Sequence, residues 1–225
     1  RQMCIRDSSC TNLDEKIYDR LVDNNFYKNE KDIIAAITPV YTDYRGLLEW
    51  RKWWDFEETT DVAVTPRAAW FDGGIYIRLH KHTWKPEDPH FSDLWGQAYG
   101  GISNCNRVIY QLDNLDFEVT GKESVIAELE VARAYWYYIL CEAFGNVPIV
   151  DRFDVPEGFL PETSSREEVF AFIENSIKNN VDNVAHIRNV EIGIHAFFLQ
   201  ADTRHLKIIF IKLIIVIIIS HAKAR

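Results

Sequence analysis

The sequence predicts a mostly α-helical fold built from antiparallel helical hairpins, and three observations lead there. Apolar residues recur at steps of three and four through several long stretches. Capping or breaking residues end those stretches. The connection between the stretches at 93–113 and 123–144 is short, which favours neighbouring helices packed side by side. Residues 47–93 interrupt the pattern and are predicted to be loop-rich.

The first helix is expected over 23–44, with Phe26, Ile33, Ile37, Val40 and Tyr44 as its core face and a kink at Pro39. The segment 47–93 then mixes Trp50, Trp53, Trp54, Trp70 and Trp84 with Pro66, Pro86, Pro89 and the Gly73-Gly74 pair. Only short helical or strand pieces are expected in it. One is strand-like, because Ile75, Ile77 and Leu79 alternate with Tyr76, Arg78 and His80.

The clearest helix spans 93–113, where Leu94, Ala98, Ile102, Cys105, Ile109 and Leu112 fall on one face. The next spans 123–144, with Val125, Leu129, Ala132, Trp136, Ile139 and Ala143 on one stripe. Gly145 is placed to cap its end, and Pro148 prevents continuation. The last runs over 166–185, opened by Ser165 with Glu168 three residues on, the spacing of a capping box. Val169, Phe172, Ile173, Ile177, Val181 and Val184 form its apolar face.

Both ends read as foreign to the middle. Residues 1–9 lack the basic start and apolar stretch of a signal peptide and resemble translated adapter sequence, so they are expected to be a non-native leader. Residues 188–225 are expected to be a non-native or misassembled tail. Within them, 208–219 holds eight isoleucines in twelve residues. That run carries Lys212 and falls short of the roughly 20 residues of a membrane span. Residues 10–187 are thus the interpretable unit.

A net charge of -9 excludes a nucleic-acid partner, since phosphate binding relies on clustered Lys and Arg. Cys4, Cys10, Cys105 and Cys141 form no CxxC pair and have no His partner at zinc spacing, so no metal is expected. Cys105 and Cys141 lie on apolar helix faces, where a thiol behaves as a small hydrophobe. His80, His82 and His90 likewise match no standard metal pattern. Glu57, Glu58 and Asp61 do not show the separation that a glycosidase pair needs, and read as a solvated acidic face. With no Gly-rich phosphate loop and no GxSxG turn, no catalytic residue and no cofactor is expected.

Binding is a different matter. A sugar presents apolar C–H faces rimmed by hydroxyls, so its site needs exposed rings beside fixed hydrogen-bonding groups. The 47–93 segment supplies both types. Its ring candidates are Trp53, Trp54, Trp70, Tyr76 and Trp84, and its polar candidates include Asp61, Arg67, Asp72 and Arg78. Trp95, Tyr99, Tyr135 and Trp136 have helical spacing that already explains them as packing residues. Asn106, on the same helix as Tyr99, is expected to bond backbone.

Three stretches carry a resemblance to a known family. The first is Trp95-Gly-Gln-Ala-Tyr99-Gly-Gly-Ile102 with Asn106-Arg-Val-Ile109. The second is Glu128-Leu-Glu-Val-Ala-Arg133-Ala134-Tyr135-Trp-Tyr-Tyr138, running on to Phe144-Gly145-Asn-Val-Pro148-Ile149. The third is Thr163-Ser-Ser165-Arg166-Glu167-Glu168-Val169. In order and spacing these resemble the N-terminal half of the RagB/SusD nutrient-uptake lipoproteins. The resemblance implies a SusD-like stack of tetratricopeptide-like helical hairpins, truncated here, because complete members are more than twice as long. No clean 34-residue self-similarity is visible in the residues themselves.

The resemblance also implies a role. Such proteins capture glycan or another nutrient at the cell surface, without catalysis, and deliver it to a TonB-dependent SusC-like transporter in the outer membrane. Ser8-Ser9-Cys10 resembles the mature start of such lipoproteins, which implies acylation of Cys10 as the membrane anchor. A helical-repeat scaffold that binds protein, or a glycoside hydrolase accessory domain, are the alternatives.

Overall fold

The computed structural model describes residues 30–48, 50–66, 72–115, 117–118 and 120–185. Six helices dominate them: α1 Glu30–Leu48, α2 Trp50–Glu57, α3 Ile75–His80, α4 Pro89–Asp113, α5 Lys122–Phe144 and α6 Arg166–Ala185. Between α5 and α6, the two-residue strands β1 Val147–Pro148 and β2 Thr163–Ser164 pair antiparallel, with Val147 opposite Ser164. The mostly helical fold expected from the periodicity is the one observed. Phe26, the leader and the Ile-rich tail lie outside the described residues.

α5 is the centre of the molecule, packed against α4 on one side and α6 on the other. Its composition explains the position. Val125, Leu129 and Trp136 fall on the expected stripe, but Val131, Tyr137, Leu140 and Cys141 are buried as well. A helix covered on two sides needs apolar residues on two faces, so a one-stripe reading undercounts its core. Ala143, expected on the buried stripe, is exposed at the C-terminal end.

The α4–α5 contact is unusually close at Gly101. A Cβ on Gly101 would stand 2.3 Å from the indole of Trp136, so only glycine admits that ring. Trp136 is fully buried and stacks on Tyr44 of α1, with centroids 4.8 Å apart and planes 7° from parallel. Tyr44 in turn donates its hydroxyl to the Ala132 carbonyl of α5. α1 runs through Pro39 as one helix and buries Ile33, Ile37 and Val40 as expected. It is tied to α4 by Gln97, whose amide donates to the Asp43 carbonyl at 2.9 Å, and by Asn104, which donates to the Asp43 carboxylate at 2.7 Å.

Local signals explain the helix ends. Ser165 and Glu168 form the reciprocal capping box: the Ser165 N–H donates to Glu168 at 2.7 Å, and the Glu168 N–H donates to Ser165 Oγ at 3.3 Å. The Ser165 N–H and, at 2.8 Å, the Ser165 hydroxyl donate to the exposed Glu168 carboxyl and hold it below its usual range. Gly145 closes α5 with φ 77°, a left-handed value that favours glycine.

A strap at 148–152 crosses the α4–α5 pair and is held through its main chain. Tyr99 donates to the Pro148 carbonyl at 2.8 Å, Asn106 to the Val150 carbonyl at 2.9 Å, and Arg133 to the Asp151 carbonyl at 2.8 Å. Tyr137 Oη also accepts from the Val150 N–H at 2.7 Å. Arg133 is buried, bonds Asn106 at 2.7 Å, and lies over the Phe172 ring of α6. The Asn106-to-backbone expectation therefore holds, and the same network explains why Tyr99 and Arg133 stand where they do.

Candidate functional site

The 47–93 region contains two separately braced units that carry exposed rings. One is centred on α3 and the loop 81–88, the other on α2 and the turn after it.

α3 departs from the strand expected over 75–80. Tyr76 and Leu79 are its buried residues, three apart, which is helical spacing. Asp72 starts it: its carboxylate accepts the Gly74 N–H at 2.7 Å and the Tyr76 N–H at 2.9 Å. Partial desolvation pushes this carboxyl upward, but those N–H donors outweigh it and hold it below the usual carboxylate range. The helix closes in a Schellman motif. The Thr83 N–H reaches the Arg78 carbonyl at 2.8 Å and the His82 N–H reaches the Leu79 carbonyl at 3.0 Å. His82 takes the left-handed position at φ 54°, where glycine is usual.

Arg78 spans from α3 to Asp88, the N-cap residue of α4. Its Nε donates to Asp88 Oδ2 at 3.0 Å, and its Nη2 pairs with Asp88 Oδ1. Arg78 Nη1 also donates to the Gly73 carbonyl at 3.1 Å. Asp88 accepts a further bond from the Lys85 N–H at 2.9 Å. The Arg78 guanidinium, followed by that N–H, holds the Asp88 carboxyl below its usual range. Both ends of loop 81–88 are thereby fixed. At its middle, Trp84 is 44% exposed, its ring 5.4 Å from the His82 ring and 6.5 Å, edge-on, from Phe91.

The second unit is closed by its own side chains. Trp54 is 36% exposed, and its Nε1 donates to Thr65 Oγ1 at 3.3 Å. The Thr65 hydroxyl donates to Glu58, which is fully buried. Glu58 is therefore a bracing carboxylate inside a turn, which corrects the expectation of a solvated face at 57–61. Asp61 is exposed in that turn.

Among the ring and polar candidates, the structure leaves Trp54, Trp84 and Asp61 open to solvent. Tyr76 is not an open ring: at 1% exposure it packs against His90, with centroids 5.1 Å apart. Asp72 and Arg78 are occupied in holding α3 and the loop. Trp53 lies on α2 with its side chain outside the described residues, as do Arg67, Trp70 and Cys10 altogether. Sequence reasoning missed Asp88 and Phe91, which brace Trp84. An Asp directly before Pro89 at a helix start was the available signal for Asp88. No group of three or more His, Cys, Asp or Glu side chains able to hold a metal occurs among the described residues. Nor is any helix among them long and apolar enough to cross a membrane.

Comparison with known proteins shows what the chain and its fold are similar to. A family model described as SusD-like, starch-binding associating with outer membrane, matches residues 12–186. SusD-like protein P2 of Formosa agariphila is 25% identical over 146 residues, covering 63% of this chain and 28% of that protein. A laminarin-binding SusD-like protein of known structure superposes with a TM-score of 0.59 at 23% identity, over 70% of this chain and 34% of the other. A SusD-like protein from Bacteroides fragilis gives 0.60 at 20% identity, over 72% and 30%. The chain thus spans about a third of the length of the relatives it matches.

Proposed function

Because this chain belongs to the SusD-like family, described as starch-binding and associating with the outer membrane, we propose that it captures a glycan non-catalytically at the cell surface. Carbohydrate binding is supported at the level of the family. Delivery to a TonB-dependent SusC-like transporter, and anchoring through acylated Cys10, complete the reading.

The observation that carries it is Trp84, a large ring held open on a loop whose two ends are fixed by Arg78 and Asp88. A flat apolar ring complements the C–H face of a pyranose, and a ring already fixed in place loses little freedom on binding. Trp54 and Asp61 offer a second ring and an exposed carboxylate on the neighbouring unit.

Affinity gels containing amylopectin or laminarin test this. The native chain should be retarded by at least one of them, and the polysaccharide should be recovered uncleaved. Trp84→Ala should weaken binding about tenfold or more, or about 1.4 kcal/mol, with an unchanged melting temperature. Equal retardation of the native and Trp84→Ala chains would remove Trp84 from the site. Shortened oligosaccharides in the eluate would overturn the non-catalytic reading.

A further inference from the structure

Both ring-bearing units contact one buried side chain. His90 lies in the first turn of α4, two residues after Asp88, and is only 4% exposed. Its Nδ1 stands 2.8 Å from Asp55 Oδ1 on α2, the residue next to Trp54. Its ring also lies 5.1 Å from the ring of Tyr76, which is buried on α3. The turn Asp88-Pro89-His90 therefore holds both units: Asp88 fixes the loop of Trp84, and His90 reaches the helix of Trp54.

The contact is placed to matter. The Trp54 unit is closed on itself by the Trp54–Thr65–Glu58 chain, so those bonds do not attach it to the scaffold. Among the described residues, the half-buried Phe56 packs on the core and Asp55 pairs with His90. Phe56 supplies contact area, which is tolerant of rotation, whereas the Asp55–His90 contact holds two polar groups 2.8 Å apart where little water screens them.

We propose that His90 is a positioning residue that locks the segment carrying Trp54 to the turn supporting Trp84, so that two exposed rings are presented in one fixed arrangement. The lock is a property of the fold. Its use in ligand capture rests on the glycan reading above.

Hydrogen exchange on the full chain decides it. His90→Ala should speed exchange across 54–65 by about tenfold or more, the equivalent of about 1.4 kcal/mol of lost local stability. Asp55→Ala should speed the same amides, and the double variant should show less than the product of the two effects, because the two residues act through one contact. Amides of α5 should stay protected in every variant, which separates unlocking from unfolding. Unchanged exchange at 54–65 in His90→Ala would overturn the proposal, as would a double variant whose effect equals the product of the two single ones. On amylopectin and laminarin gels, His90→Ala and Asp55→Ala should each weaken retention. Should the native chain bind neither polysaccharide while the exchange pattern appears, the glycan reading falls and the lock stands.

Discussion

Asp88 shows how much one carboxylate can organise. It accepts from the Arg78 side chain and the Lys85 main chain, and these donors favour its charged form. A carboxyl lowered in the folded state contributes stability that is present above its unfolded pKa, about 3.9, and lost as pH falls through the lower folded value. Thermal melts of the native chain should therefore lose ground below about pH 4, and Asp88→Asn should lose less over that window because it lacks the charge. Cys105 behaves oppositely. Burial pushes its thiol up to about 12, and Cys141 is also buried, so neither should react with iodoacetamide in the native chain at about pH 8. In denaturant, peptide mass spectra should show both labelled. His82 illustrates a residue whose backbone and ring make separate demands: its left-handed φ suits glycine, while its ring neighbours Trp84.

Elements differ in how openly their sequence declares them. α4 and α6 were readable because each buries one face along a long helix, giving the three-and-four rhythm many turns to repeat. α3 was not, because six residues alternating Ile, Tyr, Ile, Arg, Leu, His satisfy a period of two as well as a single helical turn. What decided it was Asp72 capping the N-terminus and a Schellman closure, both of which depend on residues outside the alternation. Two-sided burial of α5 was likewise hidden until α6 was seen against it. Of the site, the exposed rings Trp54 and Trp84 were legible as residue types. Their braces were not, since Arg78 meets Asp88 and Asp55 meets His90 only across elements. Gly101 gives the sharpest test at this scale. Gly101→Val would drive atoms into the Trp136 indole and should cost about 3 kcal/mol or more in urea unfolding, with α4 and α5 forced apart.

Across the whole molecule, α1, α4, α5 and α6 share one apolar core, while the ring-bearing units sit beside it at the start of α4. Arg133 connects several parts of this arrangement: Asn106 of α4, the strap at Asp151 and the Phe172 ring of α6. Arg133→Met keeps much of the volume and removes the donors, so it should cost about 3 kcal/mol in urea unfolding, with exchange rising first in the strap. The manner in which that strap is held has a consequence for how such proteins diversify. Tyr99, Asn106, Arg133 and Tyr137 grip main-chain atoms of 148–151, and a main-chain atom is the same whatever side chain its residue bears. The path of the strap is therefore inherited separately from its lettering. Residues 153–160, exposed just beyond the grip, can be rewritten over evolutionary time, or exchanged wholesale by an engineer, while the four gripping side chains remain to seat each new version.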